Sequence, residues 1–257
     1  MTSRLMIAAL GALIWTTSAG AEDVTTQTVI DKVTAARGGE ASIEDITSMR
    51  TLISISEGET EVFGDYRATR DGLMRIDIFV GDRLVYSEGI DAKGPWERSG
   101  PMNGPTIAVD NANAIQSLEN GILFNLYGLH EYDGLGHDVE LVGEETLDGT
   151  EYDVLRLTLN NGFETYRYAA TDTGKIERHR DMRALPASAD AKDPLLETRF
   201  SGFEKRCGVT DPSTSKQVDA KTGETLQITK VLYQACNMAD GDLNLARFDQ
   251  PLARPDL

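Results

Sequence analysis

The sequence predicts an α+β, mainly β fold: one strongly curved antiparallel sheet with helices against its concave face. Three observations lead there. Short runs of period two recur along most of the chain, separated by hairpin-type turns such as GD, LDGT, NNG and TDTG. One amphipathic segment with helical spacing opens the folded part. A second, unusually apolar helical segment interrupts the strands after the fourth. About ten strands joined by short turns must be antiparallel, and so many must curl or close.

The chain begins MTSRLMIAALGALIWTTSAGAED. Arg4 makes a positive start, residues 5–15 form an apolar run, and Ala19, Gly20 and Ala21 form a small-residue cleavage pattern. These features predict a secretory signal peptide over residues 1–21 and one folded domain over 22–257. An N-terminal anchor helix is the alternative, but the run falls short of the roughly 18 apolar residues a span needs. No Cys lies near the cleavage pattern, so the expected product is periplasmic and not lipid-anchored. The formal net charge is −17, which repels nucleic acid and anionic surfaces. Cys207 and Cys236 are the only cysteines. Behind a signal peptide they predict one disulfide, worth on the order of 3–4 kcal/mol in the chain-entropy account. Two free buried thiols are the alternative.

The elements follow in order. Residues 25–37 form a helix with Val29, Ile30, Val33 and Ala36 on one face, ended by Gly38 and Gly39. A helical turn covers 41–46. The first strand, 49–56, sets Thr51, Ile53 and Ile55 against Leu52, Ser54 and Ser56. The second, 60–70, carries Val62, Tyr66 and Ala68. The third, 72–80, alternates strictly, with Met74, Ile76, Ile78 and Val80 against Arg75, Asp77 and Phe79. The fourth spans 83–90. A helix over 108–129 then collects Ile115, Leu118, Ile122 and Leu126 on one side, capped by Asp110 or Asn111. Strands resume at 137–147, 149–159, 162–170 and 175–184. A polar break covers 186–194. Strands at 197–207, 215–220 and 224–236 precede an irregular, Pro-rich tail.

Motifs for chemistry are wanting. His130, His137 and His179 lack the local spacing of a zinc site. ADGDLN at 239–244 begins like a calcium loop, but Leu245 and Pro251 stand where Gly and Glu are required. GLGHDV at 134–139 lacks the third glycine of a dinucleotide fingerprint. Neither G-x-S-x-G, Walker A nor H-E-x-x-H occurs. No carboxylate pair stands out. The expectation is a binding protein rather than an enzyme, with no metal or cofactor, whose function lies in the lining of a cavity.

Four short runs, taken in order, point to a family. ARGG at 36–39 ends a helix before the first strand. RDGLMR at 70–75 is similar to an R-P-x-x-[FWM]-R step into the third strand. GIDAKGPW at 89–96 is similar to a D-G-x-x-x-W turn, and FDQP at 248–251 to a terminal F-x-x-P. Together they resemble the LolA/LolB-like family of periplasmic lipoprotein carriers, in particular its outer-membrane lipoprotein-sorting branch, over nearly the whole of 22–257. Asp71 departs from the family's Pro, and the C-terminal section with its cysteines is longer. The resemblance implies a half-open antiparallel β-barrel closed by a helical lid, with an apolar cavity for acyl chains between the third strand and the inserted helix. It implies a monomer that binds lipid or lipoprotein acyl chains and exchanges them with an envelope membrane protein. Candidate lining residues are Ile53, Ile55, Met74, Ile76 and Ile78 from the sheet, with Ile115, Leu118, Ile122 and Leu126 from the helix. Ordinary core packing is the alternative for each. Arg70 matches the family's functional arginine, which implies a grip on a headgroup or on a lid carbonyl; a strand-surface charge is its alternative. A periplasmic protein-binding scaffold or sensor and a carboxylate hydrolase remain as other classes. An open apolar cavity favours the carrier, a filled core with an exposed patch the scaffold, and a cleft with two close carboxylates the enzyme.

Overall fold

The computed structural model describes residues 24–100, 105–181 and 196–238. The expected signal peptide, the polar break, the calcium-loop-like run and the FDQP motif lie outside these residues.

Helix α1 (Thr26–Arg37) starts at a reciprocal cap. The Thr25 hydroxyl accepts from the Thr28 N–H at 3.2 Å, and the Thr28 hydroxyl accepts from the Thr25 N–H at 2.9 Å. Gly38 ends it at φ +137°, where a Cβ would stand 3.0 Å from the Gly208 carbonyl oxygen. The close seat of α1 on the 207–208 turn therefore requires glycine. Helix α2 (Glu40–Glu44) follows and buries Ile43 completely.

The strands are β1 (Ser48–Glu57), β2 (Thr60–Thr69), β3 (Met74–Val80), β4 (Arg83–Asp91), β5 (Gly94–Ser99) and a two-residue β6 (Ile107–Ala108). Helix α3 (Ala112–Leu126) and two 3-10 turns come next. Then follow β7 (Asp138–Leu147), β8 (Thr150–Thr158), β9 (Glu164–Ala170), β10 (Ile176–Asp181), β11 (Leu196–Arg206), β12 (Val209–Asp219) and β13 (Thr225–Cys236). They form one antiparallel sheet in the order β6-β5-β4-β3-β2-β1-β13-β12-β11-β10-β9-β8-β7, curved and not closed. Pairing of β1 with β13 leaves β6 and β7 as the two edges. These are neighbours in the chain, so the segment joining them, α3, must cross from one edge to the other. That crossing lays it over the concave face, as the half-open barrel requires.

The strand faces follow the expected alternation. Met49, Thr51, Ile53 and Ile55 stand on the concave face, in register with Ala68, Tyr66, Gly64 and Val62 of β2. Met74, Ile76 and Ile78 continue that face on β3. The convex face carries Arg50, Asp65, Arg67, Arg75 and Asp77. On it Trp96 of β5 covers Gly89 of β4, where a Cβ would come within 3.1 Å of the indole. Arg75 and Arg98 flank the indole at 5.5 and 5.8 Å. The strands expected at 72–80 and 83–90 and the turn expected within 89–96 are present, with one strand, β5, more than the alternation revealed.

Boundaries differ at two places for identifiable reasons. α3 begins at Ala112 because the Asn111 side chain accepts from the Asn113 and Ala114 N–H groups, and it ends at Leu126 rather than 129. β12 begins at Val209 and includes Pro212, six residues before its expected start. β13 pairs with β12 only up to Thr214, so the missing N–H of Pro212 falls where no ladder bond is required on that side.

Cys207 and Cys236 form the disulfide, with Cα atoms 5.8 Å apart. It ties the β11–β12 turn to the end of β13. Replacing both by Ser is expected to cost about 3–4 kcal/mol. Urea unfolding of the double variant, with the untreated and reduced wild type beside it, measures this; equal midpoints for all three would refute it.

Two filled clusters flank the middle of the sheet. One joins Ile43, Ile46, Met49, Tyr66, Ala68 and Met74 to Leu118, Ile122 and Leu126 of α3. The other joins Val29 and Val33 of α1 to Leu123, Tyr132 and the concave residues Leu155 and Leu157 of β8. Helix α3 serves both, which is why it is apolar beyond one face. Between the clusters, over the concave face of β10 to β13, a gap remains beneath the helical layer, although the end of α1 rests on the start of β12.

Candidate functional site

The gap between the two clusters is a cavity of about 450 Å³. This lies within the range of small-ligand pockets. Its roof comes from the helical layer, with Val33 of α1, Phe124 of α3, Tyr127 and Tyr132. Its floor comes from the late strands: Ile176 of β10, Phe200 and Phe203 of β11, and Val231 of β13. The period of two puts Thr198 and Phe200 on the concave face together with Ser215 of β12. Burial pushes the Tyr132 phenol up to about 12, against a smaller downward pull from Arg167, so it lines the roof as a neutral group.

Two arginines hold the C-terminal end of α3. The last carbonyls of a helix have no partner of their own. Arg70 donates to the Leu126 carbonyl at 2.9 Å, to the Ile43 carbonyl at 2.9 Å and, through Nε, to the Ile46 carbonyl at 2.7 Å. It also pairs with Glu131 at 2.5 Å and stacks 4.4 Å from the centre of the Tyr127 ring. The Tyr127 hydroxyl donates back to the Arg70 carbonyl at 2.7 Å. Of the two grips that the resemblance implies for Arg70, these bonds are to carbonyls of the helical layer.

Arg37, at the end of α1, donates to the carbonyls of Asn125 at 3.1 Å and Tyr127 at 2.9 Å. Its other edge pairs with Asp211 of β12 at 2.8 and 3.3 Å. Three consecutive carbonyls, of Asn125, Leu126 and Tyr127, are thus satisfied by two guanidinium groups from opposite sides. Arg37 and Asp211 border the cavity; Arg70 does not.

The other residues singled out from the sequence are placed as follows. Met74, Leu118, Ile122 and Leu126 belong to the filled cluster between α3 and β1–β3, and Ile76 packs against it. Ile115 is half-buried on α3. Ile53, Ile55 and Ile78 are half-buried on the concave face beyond the helix. None of the ten is part of the cavity wall. Ile53 comes nearest, since its register partner on β13 is Val231, a floor residue. The cavity thus lies over β10–β13 rather than between β3 and α3. Of its charged and histidine side chains, Arg167, Lys175, His179 and Asp211 carry no motif, and Arg37 falls within the ARGG run, which marks a helix end and not a cavity. The only local signal was strand alternation, which sets Arg167 apart from Tyr166 and Tyr168.

One pair of carboxylates draws close on the concave face. Glu88 of β4 and Glu97 of β5 are register partners, and the Tyr86 hydroxyl donates to Glu88 at 2.7 Å and reaches Glu97 at 3.4 Å. Burial, opposed by the Tyr86 hydrogen bond and reinforced by Glu97, holds the Glu88 carboxyl above the usual range. Neither glutamate lines the cavity. Among the described residues no cluster of His, Cys, Asp or Glu has the makings of a metal site, and no helix is long and apolar enough to cross a membrane.

No protein-family model and no curated protein matches the sequence. Solved structures do. A LolA superfamily protein from Nitrosomonas europaea aligns with 86% of this chain and 97% of its own, at TM-score 0.55 and 15% identity. A DUF1329 family protein from Desulfovibrio piger aligns with 85% of this chain and 97% of its own, at TM-score 0.53 and 16% identity. The likeness is one of fold, and that fold is the LolA-like open barrel.

Proposed function

We propose that this chain is a periplasmic carrier or binding protein for a lipid or lipoprotein acyl chain, held in the cavity over β10–β13. The observation that carries the reading is the cavity itself: about 450 Å³, lined mainly by apolar and aromatic side chains, between two packed clusters. An acyl chain gains about 0.8 kcal/mol for each methylene removed from water. A mainly apolar space of this size can hold one by burial alone. The role is non-enzymatic, because the carboxylate pair Glu88 and Glu97 stands outside the cavity wall. The exported chain would act as a monomer and exchange its cargo with an envelope membrane protein. The arginine-held end of α3 is the part of the helical layer placed to act as a lid, since two guanidinium groups hold it through backbone carbonyls.

The test contrasts two sites. Thr198→Trp adds bulk at the cavity floor and is expected to abolish binding of a fluorescent fatty acid while the melting temperature scarcely moves. Ile122→Trp overpacks a filled cluster and is expected to cost about 1–3 kcal/mol. Native mass spectrometry of protein purified without detergent should show bound lipid. If the wild type binds no fatty acid and Thr198→Trp destabilises as much as Ile122→Trp, the carrier reading falls and the scaffold replaces it.

A further inference from the structure

We infer that the ligand carries an anionic group, a carboxylate or phosphate, and that this group docks at the β9–β10 end of the cavity on Lys175 and His179. The inference rests on the carrier reading and names the class of ligand. Its first support is the charge of the cavity wall. Four ionisable groups there are charged at neutral pH: Arg37, Arg167, Lys175 and Asp211. Arg37 and Asp211 bind each other bidentately. The remaining charge is positive, inside a chain whose formal net charge is −17. A random sample of this sequence would line a cavity with acids.

The second support is placement. Arg167 of β9 and His179 of β10 are register partners, so their side chains rise side by side from the concave face. Arg167 is only 7% exposed, and its guanidinium lies 4.3 Å from the centre of the Phe124 ring in the roof. The Lys175 ammonium lies 5.0 Å from the centre of the Phe203 ring, and no carboxylate of the described residues pairs with it. Aromatic faces stabilise cations but form no directed hydrogen bonds with them. The Lys175 ammonium therefore keeps donors for an oxyanion while its apolar neighbours receive the tail.

The third support is an orphan. His179 packs its ring 4.5 Å from that of Phe200, and its Nδ1 is buried without a hydrogen-bond partner among the described residues. A buried polar atom left unpaired is costly. A protonated Nδ1 would donate to a carboxylate or phosphate oxygen, and a bound anion favours that protonated form. Tail and headgroup requirements thus meet in one cavity: aromatic and aliphatic walls over β11–β13, cationic donors at β9–β10.

The experiment is a displacement titration with probes of one chain length: dodecanoate, dodecyl phosphate and dodecanol, each below its micellar concentration. The wild type is expected to bind the two anions at least about tenfold more tightly than the alcohol, the yield of one charge-assisted hydrogen bond. Lys175→Met and His179→Phe should each shrink that preference, read as the ratio of anion to alcohol affinity within each variant; Lys175→Arg should retain it. A preference for dodecanoate over dodecyl phosphate identifies a free fatty acid, and the reverse a phospholipid headgroup. Equal binding of alcohol and anions by the wild type would overturn the inference and leave the carrier reading intact. Failure of all three probes to bind would overturn both.

Discussion

Arg70→Leu is expected to destabilise the protein by about 3–5 kcal/mol, the usual cost of stripping one partner from a mostly buried ion pair. The side chains of Arg70 and Glu131 are 19% and 15% exposed, so water replaces little of what is lost. The substitution also leaves the carbonyls of Ile43, Ile46 and Leu126 without their donor. Arg70→Lys should recover only a small part, because one ammonium cannot serve three carbonyls and a carboxylate in four directions. The loss should concentrate at the end of α3. Hydrogen exchange over residues 112–127 should accelerate far more than over β8 and β9, and a fluorescent fatty acid should dissociate faster. Uniform acceleration, with an unchanged dissociation rate, would mean that Arg70 supports the fold without holding the lid.

Glu197→Gln should have an effect of similar size on the opposite face of the sheet. Glu197 is 2% exposed and accepts from Arg178 at 3.2 Å, Arg180 at 2.8 Å and Arg199 at 2.6 Å. Without its charge, three guanidinium groups face one another around a neutral amide, and about 3–5 kcal/mol is the expected loss at pH 7. Burial on its own would raise the Glu197 carboxyl. The hydrogen bonds and charges of Arg180 and Arg199 outweigh it and hold the group below the usual range. A carboxyl lowered by folding stabilises the protein above its unfolded value, near 4.5, and that contribution fades as pH falls through the folded value. The wild type should therefore lose stability on acidification below about pH 4.5, and Glu197→Gln should lose less over the same range. Parallel pH profiles of urea midpoints for the two proteins would refute the assignment.

Much of the architecture was written in local pattern. The strict alternation from Met74 to Val80 separates the concave Met74, Ile76 and Ile78 from the convex Arg75, Asp77 and Phe79, whatever strand lies alongside. Gly38 and Gly39 stop α1 where α1 ends. Two cysteines in a chain with an export-like start pair as expected. β5 was harder to see, since GPWERS shows no clear alternation, and Pro212 concealed the first half of β12. Both become strand through their neighbours: Trp96 covers Gly89, and β13 leaves the Pro212 side unpaired.

The cavity was not legible for a different reason. Ile122 and Leu126 carry the same helical signal whether they face a void or a packed sheet, and the sheet they face, β1–β3, fills the space with Met49, Tyr66 and Met74. Arg167 and His179 belong to strands whose periodicity identifies a face without identifying what stands above it, and Lys175 lies in the turn between those strands, where no period applies. Arg70 was picked out by its motif, but its partners, 24 to 61 positions away in the chain, were not.

By itself the sequence determined the kind of each element, the side on which most residues lie and the disulfide pair, because periods of two and 3.6 act over a few neighbouring residues. Only the tertiary structure decided that β1 pairs with β13, that α3 therefore bridges the two free edges, and that its residues fill one side of the barrel while a cavity remains on the other. Those outcomes depend on contacts across most of the chain's length. A cavity in particular is the volume that packed side chains leave over, and no residue encodes it alone.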